Sequence, residues 1–313
     1  MGSREIDIQS ILNWNDGIPH PDWDVVESWV ERHVDSASAR DVWNSAIEQW
    51  LNELGRSLGK KFAVHESSRI FFLTDASPKA ASLILDRAEL FRRELLVRLD
   101  GLANFDFPGK IVLIAARWKE DYLRYVSSLG FAGDHESSAG MQIRDGYQRI
   151  AMHGDSGENL DSTTAHEMTH LALHGRSMPQ WIEEGLAQMI EHDLSGRNEL
   201  IVDGKMANRH KRYWREFGID PFWYGEGFST AGQIQTLSYE LAEILMRILF
   251  EDHRPRWFGW DSSRVKKLIQ FLNEARVEDC GEAASRTHLQ KGLQEIAGVF
   301  LGPGPWGLGM GPT

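Results

Sequence analysis

His166-Glu167-Met168-Thr169-His170 is the stretch of this 313-residue chain whose residue types and spacing specify a chemistry. In an α-helix, side chains four residues apart share a face, so both imidazoles can reach one metal ion. The carboxylate beside the first then stands within reach of a water that the metal activates. The competing reading is two surface histidines and a solvated glutamate. On a wheel of about 100° per residue, Thr163, His166, Glu167, His170 and His174 fall in one polar arc, roughly opposite Thr164, Ala165, Met168, Leu171 and Ala172. One face packs and the other carries titratable groups, as a buried reactive helix requires.

The elements that must position these groups are signalled on both sides. Asp161 or Ser162 offers an N-cap, Gly175 a C′ stop, and no Gly or Pro lies between to break the helix. A second helix follows, with Ser177 and Gln180 reading as an S-x-x-Q capping box and Pro179 in the first turn, ahead of Trp181-Ile182-Glu183-Glu184-Gly185.

Catalytic zinc takes three protein ligands, so two histidines need a third donor. Leu173 and Arg176 occupy the positions where a metzincin carries Gly and a third His, which excludes that class. His174 lies one turn beyond His170, beside the helix stop, where a histidine favours the local dipole. Glu183 and Glu184 remain. Glu183 borders the apolar half of its helix by roughly 20° and Glu184 stands about 60° outside it. The stripe around Glu184, with Trp181, Ala187, Gln188 and Glu191, is a mixed lining suited to a wet cavity, so burial favours one glutamate and cavity chemistry the other.

HEMTH followed by WIEEGLA resembles the gluzincin branch of zinc peptidases, most closely the bacterial peptidase-MA-like domains of unassigned substrate. The resemblance covers about residues 61 to 306, with specific motifs only in 166–187. It implies that the Glu directly preceding Gly, here Glu184, completes a Zn²⁺ site with His166 and His170, and that Glu167 is the general base. It further implies a Tyr or His from a helical lobe as oxyanion donor. Tyr239 is best placed for this by chain order, although a tyrosine opening an apolar helix also reads as a core residue. The implied fold is α+β and zincin-like: an N-terminal mixed sheet plus helices carrying the HExxH helix, then a mostly helical C-terminal lobe. The loop joining the two motif helices is shorter than in the best-known gluzincins, a departure that bears on substrate class. The expected activity is zinc-dependent hydrolysis of a peptide or protein substrate. Two other classes are a catalytically silent zincin-fold binding module and a metal-dependent hydrolase of a small amide or ester. A silent site has no physical need of Glu167.

Composition narrows the partners. Hydrophobic content of 42% and charged content of 26% suit a globular chain with a large core. A net charge of −12 and a pI near 5.5 argue against nucleic acid and anionic membranes. The single cysteine, Cys280, leaves any metal to His and carboxylate ligands. No stretch is long and apolar enough to span a bilayer, and MGSREIDIQS lacks a signal-peptide profile, which together point to a cytoplasmic location.

Along the chain, residues 1–60 read as a helical extension, with Trp23, Val26, Trp29, Val30 and Val34, then Val42 to Leu58, at helical spacing. Its tryptophans read as core rather than as a sugar-stacking platform. Residues 61–194 form the expected catalytic lobe: a hairpin over 61–65 and 69–73, a helix from Ser77-Pro78 to Asp100-Gly101, a buried strand over 110–115, and a helix over 119–128. Paired strands follow around Asp145-Gly146. Residues 195–300 read as a basic, aromatic insertion (195–233), either a wall of the cleft or a partly helical surface excursion, and then helices over 236–250, 264–275 and 287–300. A Gly/Pro-rich tail, 301–313, is expected to be extended with Trp306 docked.

Overall fold

The computed structural model describes residues 6–130, 139–154, 157–196, 200–253 and 262–309, with the side chains of 157–159 and 262–263 left aside. The fold is α+β, and the chain divides into two compact units, one of residues 1–97 with 104–171 and one of 98–103 with 172–313. The two motif helices fall in different units.

The first unit opens on a hairpin, β1 (Leu12–Asn15) and β2 (Ile18–Pro21), where a helical extension was expected. Asp16 and Gly17 turn it with φ of 50° and 74°, the left-handed pair that matches the twist of two antiparallel strands. Helix α1 (Trp23–His33) is capped by the Asp22 carboxylate, which accepts from the Val25 N–H, and α2 (Ala39–Leu58) packs on β2 and on the main sheet. Trp50 is fully buried and its indole N–H donates to the Pro19 carbonyl at 2.9 Å, so this aromatic is core with its one polar atom satisfied.

The main sheet has the order β3-β4-β5-β7-β6, from β3 (Ala63–Glu66), β4 (Ile70–Thr74), β5 (Ile111–Ala116), β6 (Gly140–Ile143) and β7 (Arg149–His153). Strands β4, β5 and β7 are parallel, and β3 and β6 run antiparallel at the two edges. Strands β4 and β5 are buried at every residue, which is why their sequences read as continuous apolar runs without alternation. Helix α3 (Pro78–Arg98) links β4 to β5, and α4 (Lys119–Ser127) follows β5. The turn around Gly146, at φ 64°, joins β6 to β7 as its Asp-Gly signal requires.

Helix α5 (Gly157–Ala172) ends this unit. It starts before Asp161, so neither Asp161 nor Ser162 is its cap. Asp161 instead holds Arg87 of α3 at 3.0 Å. Gly175, at φ 75°, closes the turn beyond the helix as expected.

The second unit is helical. Helix α6 (Gln180–Ser195) begins after Pro179, which sits at the cap position with no side-chain capping bond; the expected Ser177–Gln180 box does not form. The Pro179 carbonyl accepts from the N–H groups of Ile182 and Glu183 instead. Helices α7 (Gly204–Phe217), α8 (Asp220–Trp223) and α9 (Glu226–Ser229) follow, and Trp214, Phe222, Trp223 and Phe228 are all buried, which corrects one of the two readings of 195–233, the surface excursion. Phe222, Trp223 and Phe271 gather around Trp181, whose N–H donates to the Cys280 carbonyl.

Helix α10 (Gln233–Asp252) packs along α6, and α11 (Ser262–Glu274) and α12 (Glu282–Ala284) follow. The helix expected over 287–300 is broken: a π turn at Ser285–Leu289 ends at Gln290, φ 58°, and α13 (Leu293–Leu301) starts afresh. Trp306 is buried and its carbonyl accepts from the Trp223 indole at 2.9 Å, which docks the tail; residues 310–313 lie outside the described residues. Among the described residues no helix is long and apolar enough to cross a membrane.

Candidate metal centre

Helix α5 carries His166, Glu167 and His170 together. Its packing face is set by Thr164, whose hydroxyl meets the Met152 sulfur on β7 at 3.4 Å, and by buried Ala165, Met168 and Leu171. Thr169 returns its hydroxyl to the Ala165 carbonyl at 2.8 Å and so takes no part in the polar face. Gly140 of β6 lies directly against Thr163, where an added Cβ would come within 2.5 Å of the threonine methyl. The edge strand thus runs beside α5 one turn ahead of His166, and a glycine is what allows that approach.

The two imidazoles meet edge to face, with Nε2 atoms 3.1 Å apart. Nitrogens bound to a tetrahedral zinc at about 2.0–2.1 Å stand about 3.3 Å from each other, so the pair has the bite a cation of that size needs. Glu167 and His170 are each only 8% exposed and His166 is half-buried. Burying these polar groups together costs stability unless a partner or an ion offsets it.

Of the two adjacent glutamates on α6, both are half-buried. The carboxylate that groups with the histidines is that of Glu184: ligand-capable atoms of His166, His170 and Glu184 all lie within 4.8 Å of one another. Two nitrogens and one carboxylate oxygen make a donor set that could hold a metal ion such as zinc. Residue 185 is glycine for a steric reason. A Cβ there would stand 2.5 Å from the Ala242 carbonyl of α10, so α6 and α10 touch backbone to backbone beside Glu184.

Tyr239 lies on α10, half-buried, with its ring edge-on to Phe228 at 5.2 Å. His174 lies beyond the end of α5 and is not part of the grouped donors.

Two charged sites were missed from sequence. His192 of α6 bonds Glu243 of α10 at 2.7 Å, and Arg247 bonds the same carboxylate at 2.8 Å. Hydrogen bonding to Glu243 raises the His192 pKa above the usual histidine value, against the opposing effect of burial. Fifty-one residues separate this pair, so no local spacing announces it. The second is Arg149, whose guanidinium is buried inside the first unit. A cavity of about 610 Å³ also opens at the carboxyl ends of β4 and β5, lined in part by Arg87, Leu160 and Asp161. Asp161 stands about 140° around α5 from His166, so this cavity lies off the histidine face.

In comparison with known proteins, no protein-family profile and no curated relative matches the chain.

Proposed function

We propose that the chain is a zinc-dependent peptidase of the zincin type, similar to the gluzincins, with His166, His170 and Glu184 as the metal ligands. The observation that carries this reading is the grouping of those three donors, among the described residues, within reach of one ion. Zinc held by them would polarise a scissile carbonyl and lower the pKa of water from about 15.7 toward about 7. Glu167 adjoins the ligands without being one of the grouped donors. Its carboxylate takes the proton from the attacking water and returns it to the leaving amine nitrogen. The phenol of Tyr239 donates to the developing oxyanion of the substrate. Strand β6 supports a peptide substrate in particular. It is a terminal strand of the sheet and runs beside α5, so an extended chain could add to its outer edge by main-chain hydrogen bonds.

Metal analysis paired with digestion of a peptide library tests the reading. The purified chain is expected to hold one zinc and to cleave peptides. Glu167→Gln should keep the zinc and lose activity by about 10²-fold or more, because an amide cannot accept the water's proton. Glu184→Ala should lose the zinc and Glu183→Ala keep it. Tyr239→Phe should lower kcat by about 10²-fold with zinc retained. Zinc without turnover of any peptide would return the chain to a binding role or to a small amide or ester substrate. No zinc at all would overturn the proposal.

A further inference from the structure

Arg149 is 3% exposed and sits on β7, where its neighbours are unusual for a buried cation. Its Nε donates to the Tyr125 hydroxyl at 2.6 Å, and Nη1 donates to the carbonyls of Asp145 and Tyr147, both at 2.8 Å. The guanidinium also lies over the Trp50 ring at 5.5 Å. Every one of these acceptors is neutral, and among the described residues no carboxylate lies within ion-pair distance. Buried charges are ordinarily paired, because an uncompensated one is expensive to desolvate. The second terminal nitrogen, Nη2, has no protein acceptor among these bonds.

The guanidinium lines a cavity of about 230 Å³, with His20, Trp23, Ser128 and Asp145 among its other walls. The Ser128 hydroxyl is buried and donates to the Tyr125 carbonyl at 2.6 Å, so its oxygen accepts from His20 Nε2 at 2.9 Å. That fixes His20 as the Nε2–H tautomer and leaves Nδ1 able to take a proton. His20 titrates low, at about 4, first because it is buried and second because Arg149 is near; Asp145 opposes both. Its ring stacks on Tyr125 at 6.3 Å. The charged and titratable groups that face it are thus Arg149, Asp145 and Tyr125.

We propose that this cavity is a binding site for a small oxyanion, the sulfate-, phosphate- or carboxylate-bearing group of a small molecule, with Arg149 as its counter-charge. The volume suits a head group of a few heavy atoms, and Nη2 is the guanidinium nitrogen that these hydrogen bonds leave unused. Arginine is the side chain suited to this task, since its planar fork matches an oxyanion and stays charged when buried. Asp145, exposed on the hairpin, guards the mouth with like charge to the ligand and tunes affinity rather than providing it. The site lies wholly within the first unit and does not rest on the metal reading.

Titration of the full chain with sodium sulfate and, separately, sodium acetate tests this, with sodium chloride at matched ionic strength as control. Sulfate keeps one charge state across the range used, and the acetate arm distinguishes a planar carboxylate from a tetrahedral group. The expected result is saturable one-to-one binding of at least one of the two, with the His20 ring signal moving to a higher pKa as the anion offsets Arg149. Arg149→Met should weaken binding by about tenfold or more. Should that variant fail to fold, Asp145→Asn supplies the second measurement: at an exposed position, removing the opposing charge should tighten binding by about twofold or more. A response no larger than that to chloride, a His20 pKa unmoved by either anion, or affinity unchanged in Asp145→Asn would overturn the proposal and leave Arg149 as a clasp for the β6–β7 turn.

Discussion

Away from the candidate metal centre, each unit buries a charged side chain, and the two do it in opposite ways. The first buries a cation, Arg149, and surrounds it with neutral acceptors and an aromatic face. The second buries an anion, Glu243, 1% exposed, and clasps it with His192 and Arg247, which also reaches Asp193 at 3.0 Å. In the second case the partners are themselves partly exposed, 22% for His192 and 30% for Arg247, so each can fall back on water. In the first case two of the three acceptors, the Tyr125 hydroxyl and the Tyr147 carbonyl, are enclosed with the cation. A buried charge with enclosed partners should therefore be the more costly one to lose, although it makes no ion pair at all.

The largest effect is expected from Arg149→Met, which strands the Tyr125 hydroxyl and two turn carbonyls and should lower stability by about 3 kcal/mol or more in denaturant unfolding. Glu243→Gln should cost less, about 1–2 kcal/mol, since Arg247 keeps Asp193 and His192 can turn to solvent. The reverse order would mean that ion pairing, and not the enclosure of partners, governs buried charge in this chain.

Smaller and opposite in sign are the pH dependences. His192 has a folded pKa raised above the ordinary value of 6.5 by its bond to Glu243, so its contribution is fully present below pH 6.5 and is lost as pH rises through the folded value. His20 has a folded pKa lowered to about 4 by burial and by Arg149, so its contribution is present above pH 6.5 and is lost as pH falls toward 4. Unfolding followed from pH 4 to 8 should show His20→Gln flattening the acid limb and His192→Gln flattening the alkaline one. If either substitution flattens the other's limb, the assignment of that limb is wrong.

The parts of the fold that were legible in sequence are those fixed by neighbours in the chain. The Asp145-Gly146 hairpin, the uniform apolar run of β5 and the i,i+4 histidines of α5 all follow from backbone geometry within a few residues. The same Asp-Gly signal at residues 16–17 escaped notice because Pro19 and Pro21 interrupt the pattern of β2. Prolines are tolerated there because a two-stranded ribbon leaves one side of each strand outside the ladder. Asp161 was misread for the opposite reason. Its type and position suit a cap, but its carboxylate serves Arg87, 74 residues away. The choice between Glu183 and Glu184 likewise turned on which side of α6 meets other elements, and burial along one helix does not carry that information. Trp214 and Trp223 fall in a stretch rich in glycine and charge that reads equally as a cleft wall or a surface excursion, while their burial depends on α8, α9 and the distant Trp306.

Gly185 gives α6 a mechanical property as well as a close packing distance. Where two helices touch backbone to backbone, the contact acts as a fulcrum, and rocking of α6 about it displaces each residue in proportion to its distance along the axis. With a rise of about 1.5 Å per residue, a rock of about 5° moves Glu191 by about 0.8 Å but Glu184, one residue from the pivot, by about 0.1 Å. The backbone that carries the carboxylate proposed as a metal ligand sits near the still point of its helix, so α6 can rock as a lever with little displacement of that part of the chain.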